Sequence, residues 1–291
     1  MISLIGPGAV GGLLAALIAR SGQKVTVVAR PATAARIAER GIRVESEQFG
    51  SFSANPSVQS IPVMNAPALI TVKQYGLANI LPDLAWAKPH EVLSLLNGLV
   101  HAPLIHASFG TATPRTANGS IGVLVVRRPD GVIAHESGFI TVNVPASAAD
   151  WRLVAVLREA GVDVNAKGTE DEVLWHKLRF LAPMALLTAW TDEPLGKALA
   201  HDPDTTNALI EEVAAVATAE GVPTNAAKLR DSLYDTRPDA KSSLALDVRR
   251  GGPAELNALG EDIIYRAGLH HIAVPTFERL VATIGARVSS R

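Results

Sequence analysis

The sequence predicts an α/β domain followed by an all-α domain, and three observations lead there. Short β-branched runs alternate with helix-period stretches through the first half of the chain. A glycine-rich turn separates the first of those runs from the first helical stretch. After Gly168 the strand pattern stops, and the periodic stretches that remain have helical spacing. At 291 residues the chain is long enough for two cores. We expect residues 1–167 to form the α/β domain and residues 168–291 the helical one, with a ligand in the cleft between them.

Taken in order, strands are expected at 2–5, 24–28, 69–72 and 92–95. Helices at 11–20, 32–40 and 77–87 fall between them. Buried strands separated by helices are the pattern of a doubly wound parallel sheet. From Gly119 the stretch "GSIGVLVVRRPDGVIAHESGFITVNVP" reads as antiparallel, with Val- and Ile-rich runs around a Pro-Asp-Gly turn. A helix at 149–160 and a short strand at 162–165 complete the first domain. Helices are expected at 170–191, 206–220, 225–235, 254–267 and 275–286. Asp, Asn, Thr or Pro stands at or near most of their starts, as capping and first-turn preferences require.

Composition narrows the function classes. Hydrophobic residues make up 48% and charged residues 19%, with a formal net charge of −1. Mean hydropathy is +0.21 and the isoelectric point is about 6.7. No global field favours nucleic acid or an anionic membrane, and no apolar helical stretch is free enough of Arg and Lys to span one. The apolar start lacks a basic segment and is broken by glycine, so it does not read as a signal peptide. There is no cysteine, which removes disulfides, thiolate metal sites and Cys nucleophiles and suits a reducing compartment. A cytoplasmic location is expected. His270 and His271 have no third ligand at metal spacing, so no metal site is expected.

The glycine turn is G-x-G-x-x-G, formed by Gly6, Gly8 and Gly11 directly after a strand and directly before a helix. In a Rossmann-type unit the first glycine permits the tight turn and the second lets a pyrophosphate approach the backbone. The third lets helix and strand pack closely. The free N–H groups at the helix start, those of Ala9 and Val10 among them, then hold the anion. The alternatives are a glycine turn that only packs helix on strand and an FAD site, for which the chain is short. At the end of the second strand, where an acidic residue would grip a ribose 2′-hydroxyl, "VTVVARP" places Arg30. A guanidinium there binds a 2′-phosphate through paired charge-assisted bonds, so NADP(H) is the expected cofactor. The other reading of Arg30 is a solvated residue at a strand end.

Four further stretches, "LITVKQY", "LSLLNGL", "EVLWHKL" and "SSLALDVRRGGPAELNAL", stand in order after the glycine turn. Together they resemble the ketopantoate reductase family, NADPH-dependent enzymes that reduce 2-dehydropantoate to pantoate. The resemblance implies that Lys177 is the general acid and that Glu255 positions substrate and the lysine. It places Asn97 and Glu255 near the nicotinamide end of the cofactor and Lys73 along the cofactor groove. Ser243 and Asn97 would contact the 2-oxo acid. Independently of the name, ketone reduction needs a proton donor at the oxygen that becomes negative, and a lysine supplies both proton and charge.

The chain also departs from that family. Two asparagines expected one and two turns beyond the lysine are replaced by Leu181 and Ala185, and an Asn-Gly pair after the glutamate by Gly260 and Glu261. A site built to bind hydroxyls loses discrimination when its polar partners become apolar. The expected activity is therefore NADPH-dependent reduction of a 2-oxo acid. Two alternatives are a more apolar ketone or imine, and a catalytically quiet NADP(H)-binding sensor. The apolar stretch "FLAPMALLTAW" can be buried internally or against a second copy, which leaves a homodimer open.

Overall fold

Strand Ile2–Ile5, every residue of it buried, sits inside a six-stranded parallel sheet. The order is Ser57–Gln59, Val25–Val28, Ile2–Ile5, Ala68–Ile70, Glu91–Ser94 and Arg115–Asn118. The computed structural model describes residues 1–109 and 114–289. The chain winds outward through the second and third of its parallel strands and returns to pair Ala68–Ile70 on the other side of the first. That reversal is the topological switch point at which doubly wound sheets bind ligands. Helix Ala9–Arg20 is buried from Gly11 to Ile18 and packs into an extensive apolar cluster, which explains its run of Gly, Ala and Leu.

Two smaller sheets complete this half. Strands Val125–Arg127 and Ile133–His135 form the expected antiparallel hairpin around Pro129, Asp130 and Gly131, and Ser120–Gly122 pairs antiparallel with Thr141–Val144. The antiparallel reading was incomplete, however. Ile133–His135 also pairs in parallel with Ile42–Ser46, and Thr141–Val144 in parallel with Asp163–Ala166. Strands of three to five residues carry too few alternations to announce a distant partner.

One start shifted for a tertiary reason. The helix expected from 149 begins at Arg152, after a 3-10 turn Ala146–Ala148. Its first N–H groups, on Arg152 and Leu153, donate to both carboxylate oxygens of buried Glu91 at 3.0 Å. The cap comes from a strand far away in sequence rather than from a local residue.

The chain divides into two compact units, Met1–Leu96 with His101–Val173, and Asn97–Val100 with Leu174–Arg291. The sequence places the junction after residue 167. Helix Glu170–Thr191 starts in the first unit because its first turn is bonded there. Thr169 and Glu172 form a reciprocal capping box, and Glu170 accepts the Asn118 N–H at 2.7 Å.

The second unit holds helices Leu195–His201, Pro203–Ala219, Ala226–Tyr234, Ser243–Arg250, Asp262–Leu269 and Pro275–Ser289, besides most of the helix that carries Lys177. Asp202 and Asn225 cap two of them through the N–H groups of Thr205 and Lys228. The helix expected over 254–267 instead carries a π-helical turn, Asn257–Glu261, ahead of Asp262–Leu269. Among the described residues no helix is long and apolar enough to cross a membrane.

Candidate active site

In the first unit the glycine turn has the geometry its spacing implies. Gly6 has φ +90°, and a Cβ there would lie 2.6 Å from a methyl of Val72. A Cβ on Gly11 would lie 2.3 Å from both the Gly6 carbonyl oxygen and the Thr71 hydroxyl. That hydroxyl donates to the carbonyls of Ile5 and Gly6 at 3.0 and 2.9 Å and so pins the turn to the neighbouring strand. Thr71 carries no sequence signal for this role, since its partners lie more than sixty residues away.

Gly8 differs from the other two. A Cβ there would come only within 4.0 Å of the Gly6 oxygen, so its missing side chain serves approach from outside, not local packing. Gly8 caps helix Ala9–Arg20 without a side-chain bond, and the first turn holds no acidic residue. The N–H groups of Ala9 and Val10 lack intrahelical partners, as at every helix start. A dinucleotide pyrophosphate fits this cradle, since open backbone, free donors and the helix dipole all favour an anion.

Arg30 and Lys73 follow the two strands that flank Ile2–Ile5, and in a parallel sheet all three strands end on one edge. Arg30 is exposed at the start of helix Pro31–Arg40, and Lys73 is half-buried ahead of the 3-10 turn Gln74–Gly76. The Gly6 N–H donates to the Val28 carbonyl at 3.2 Å, tying the glycine turn to the strand that leads to Arg30.

The second unit brings three of the candidate residues together. Lys177 Nζ donates to Asn97 Oδ1 at 2.7 Å, and Asn97 Nδ2 donates to Glu255 Oε2 in a longer contact of 3.4 Å. The amide is oriented by its partners, oxygen toward the ammonium and nitrogen toward the carboxylate; the reverse would set donor against donor. Glu255 is only 4% exposed, and a carboxylate so buried is held by charge and hydrogen bonding. Asn97 is placed by the next residue. Gly98 has φ +80°, and a Cβ there would lie 2.5 Å from the Ala258 carbonyl in the π-helical turn. π-Helical turns recur at functional sites, and this one begins just after Glu255.

Leu181, one turn beyond Lys177, is half-buried, while Ala185 is fully buried. The Ala185 carbonyl and the Thr188 hydroxyl both meet the buried Ser242 hydroxyl, at 3.4 and 2.7 Å. Ser242, not Ser243, caps helix Ser243–Arg250 through the Ala245 N–H, and Ser243 is exposed in its first turn. Gly260 serves packing, since a Cβ there would lie 2.5 Å from Val281.

A doubly wound sheet headed by a glycine-turn cradle, and a helical unit carrying a lysine–amide–carboxylate chain, define an oxidoreductase of the dinucleotide-binding class. Residues 2–147 match the profile of ketopantoate reductase PanE/ApbA, and residues 170–288 that of the ketopantoate reductase PanE/ApbA C terminal. The chain belongs to the ketopantoate reductase PanE/ApbA family, oxidoreductases that act on CH–OH groups. It is 29% identical to a 2-dehydropantoate 2-reductase of Caulobacter vibrioides across 98% of both chains. Among solved structures, a PanE/ApbA family ketopantoate reductase from Ralstonia eutropha superposes with a TM-score of 0.86 at 28% identity, covering 100% of this chain and 99% of that one. D-mandelate dehydrogenase, solved with NADH and anilino(oxo)acetate, shares the fold at a TM-score of 0.88 and 19% identity, covering 100% of this chain and 99% of that one.

Proposed function

We propose that the protein reduces a 2-oxo acid to the corresponding 2-hydroxy acid with NADPH, and that 2-dehydropantoate is its leading substrate. The observation that carries this reading is the hydrogen-bonded chain Lys177–Asn97–Glu255. The Lys177 ammonium gives its proton to the carbonyl oxygen as that oxygen becomes an alkoxide, and is reprotonated from water. Asn97 holds Nζ in one direction, which fixes the donor before the reaction rather than during it. Glu255, linked to Nζ through the Asn97 amide, places a carboxylate where it favours the lysine's cation. When bound, a reduced nicotinamide supplies the hydride to the carbonyl carbon. Gly6, Gly8, Gly11, Ala9 and Val10 would hold the pyrophosphate of the dinucleotide, Arg30 would meet its 2′-phosphate, and Lys73 would line the cofactor groove. Ser243 is assigned to the substrate carboxylate on the family resemblance alone.

A second substrate reading is favoured by half-buried Leu181, one turn beyond Lys177, which offers no hydrogen bond to a hydroxylated substrate, whereas fully buried Ala185 is closed off from the pocket. On that reading the pocket takes a 2-oxo acid with an alkyl or aryl side chain, or another apolar ketone or imine. Turnover across a panel of 2-oxo acids with NADPH separates the two. Ketopantoate leading the panel supports the first reading, and an alkyl or aryl 2-oxo acid leading it supports the second.

The choice of cofactor has its own test. Arg30→Asp is expected to weaken NADPH binding by about tenfold or more, because it replaces charge-assisted bonds with repulsion. NADH binding should change much less. Equal losses for the two nucleotides, measured by fluorescence titration, would remove the phosphate role of Arg30.

A further inference from the structure

A second concentration of positive charge flanks the glycine turn. Arg36 and Arg40 from helix Pro31–Arg40, Arg43 from the next strand and Arg127 from the hairpin line one pocket, together with Pro7 and Gly12. Asp130 is the single acidic residue lining it. That carboxylate is exposed and already accepts the Val132 N–H at 3.0 Å, and Arg43 bonds to the Asp130 carbonyl oxygen instead, at 2.9 Å.

The two inner guanidinium groups are held in place. Arg127 is half-buried and donates to the carbonyl of Pro7, inside the glycine turn itself. Arg36 lies against the hairpin turn, where Gly131 has φ +86° and a Cβ would stand 3.2 Å from Arg36 Nη1. Gly131 thus makes room for the guanidinium. Among the described residues no carboxylate forms an ion pair with Arg36 or Arg127. Burial, with the Arg36 charge beside it, holds the Arg127 guanidinium below its ordinary value. Two like charges in a half-buried place without a counter-charge are an unfavourable arrangement that a bound anion relieves.

We propose that the pocket between Arg36 and Arg127 binds a phosphate monoester dianion. A guanidinium presents a planar fork that matches two phosphate oxygens, and two such forks engage a dianion with three acceptor oxygens better than a single carboxylate. Arg40 and Arg43 add charge at the rim. The phosphate has two sources of the same chemistry. One is the 2′-phosphate of a dinucleotide in the adjoining cradle, in which case selection for NADPH is divided between Arg30 and this pair. The other is a free phosphorylated metabolite. Only the first source rests on the cofactor reading above.

The test is binding of inorganic phosphate, adenosine 2′-phosphate, NADPH and NADH to the full chain and to Arg36→Gln and Arg127→Gln. Both variants are expected to bind phosphate and adenosine 2′-phosphate about tenfold or more weakly, with NADH affinity in Arg36→Gln within about twofold of wild type. If NADPH weakens in parallel and phosphate competes with it, the dinucleotide is the source. If NADPH holds while phosphate binding is lost, the source is a free monoester. Arg127→Gln also removes the bond to Pro7, so Arg36→Gln decides. Unchanged phosphate and NADPH affinities in Arg36→Gln overturn the proposal, as do equal losses of NADH and NADPH. Wild type that binds phosphate but neither nucleotide would overturn the cofactor reading and leave this pocket standing.

Discussion

Lys177→Ala lowers kcat by about 10²–10⁴-fold, the range a positioned general acid contributes, while the dissociation constant for NADPH stays nearly unchanged. The two readouts separate because the glycine cradle belongs to the first unit and Lys177 to the second. Loss of the ammonium also leaves Asn97 Oδ1 without its 2.7 Å donor and the buried Glu255 carboxylate without the cation that Asn97 links to it. The melting temperature should therefore fall as well. Lys177→Arg separates chemistry from architecture. Arginine keeps the positive charge and a donor for Asn97, yet its pKa lies too high for it to surrender a proton. Stability is expected to recover in Lys177→Arg while turnover does not. Turnover restored by arginine would show that the lysine positions the substrate and does not protonate it.

Gly11→Ala should have the largest effect in the first unit. Its Cβ would sit 2.3 Å from a backbone oxygen and from the Thr71 hydroxyl, and the backbone oxygen cannot rotate away. The turn has to open, at a cost of about 1–3 kcal/mol, the range for forced overpacking. NADPH and NADH should both weaken by at least about tenfold, since the shared pyrophosphate cradle moves. Gly8→Ala is the matched control, with its Cβ 4.0 Å from the nearest heavy atom. It should melt close to wild type and still bind nucleotide poorly, because the added methyl occupies the approach to the backbone. Wild-type nucleotide affinity in Gly11→Ala, read by titration beside a thermal melt, would sink the assignment of this turn.

How much of this was legible beforehand varies with the range of the signal. The strand–turn–helix at the N-terminus was readable because its parts are adjacent in sequence, and helix Glu170–Thr191 was readable to its ends because the start signal at Thr169 is local to it. The start of helix Arg152–Glu159 was misplaced because its cap is Glu91, a strand residue. The hairpin around Asp130 was expected, but its parallel pairing with Ile42–Ser46 was not. In the sequence Arg36 and Arg127 each read as an ordinary surface charge. Their meeting beside Pro7 follows from how helix Pro31–Arg40 and the hairpin are placed against the glycine turn.

By itself the sequence determined the succession of an α/β half and an all-α half, the tight-turn geometry of Gly6, Gly8 and Gly11 between the first strand and the first helix, and the apolar residues at 181 and 185. Each of these rests on covalent spacing or on residue type, which need no knowledge of distant neighbours. The tertiary structure alone decided that Asn97 stands between Lys177 and Glu255, separated from them by 80 and 158 residues. It also decided that Gly98 packs on a π-helical turn and that Ala185 is closed off beneath Ser242. Those contacts depend on which faces meet when the chain collapses. A lysine, an amide and a glutamate carry no periodicity that names their partners.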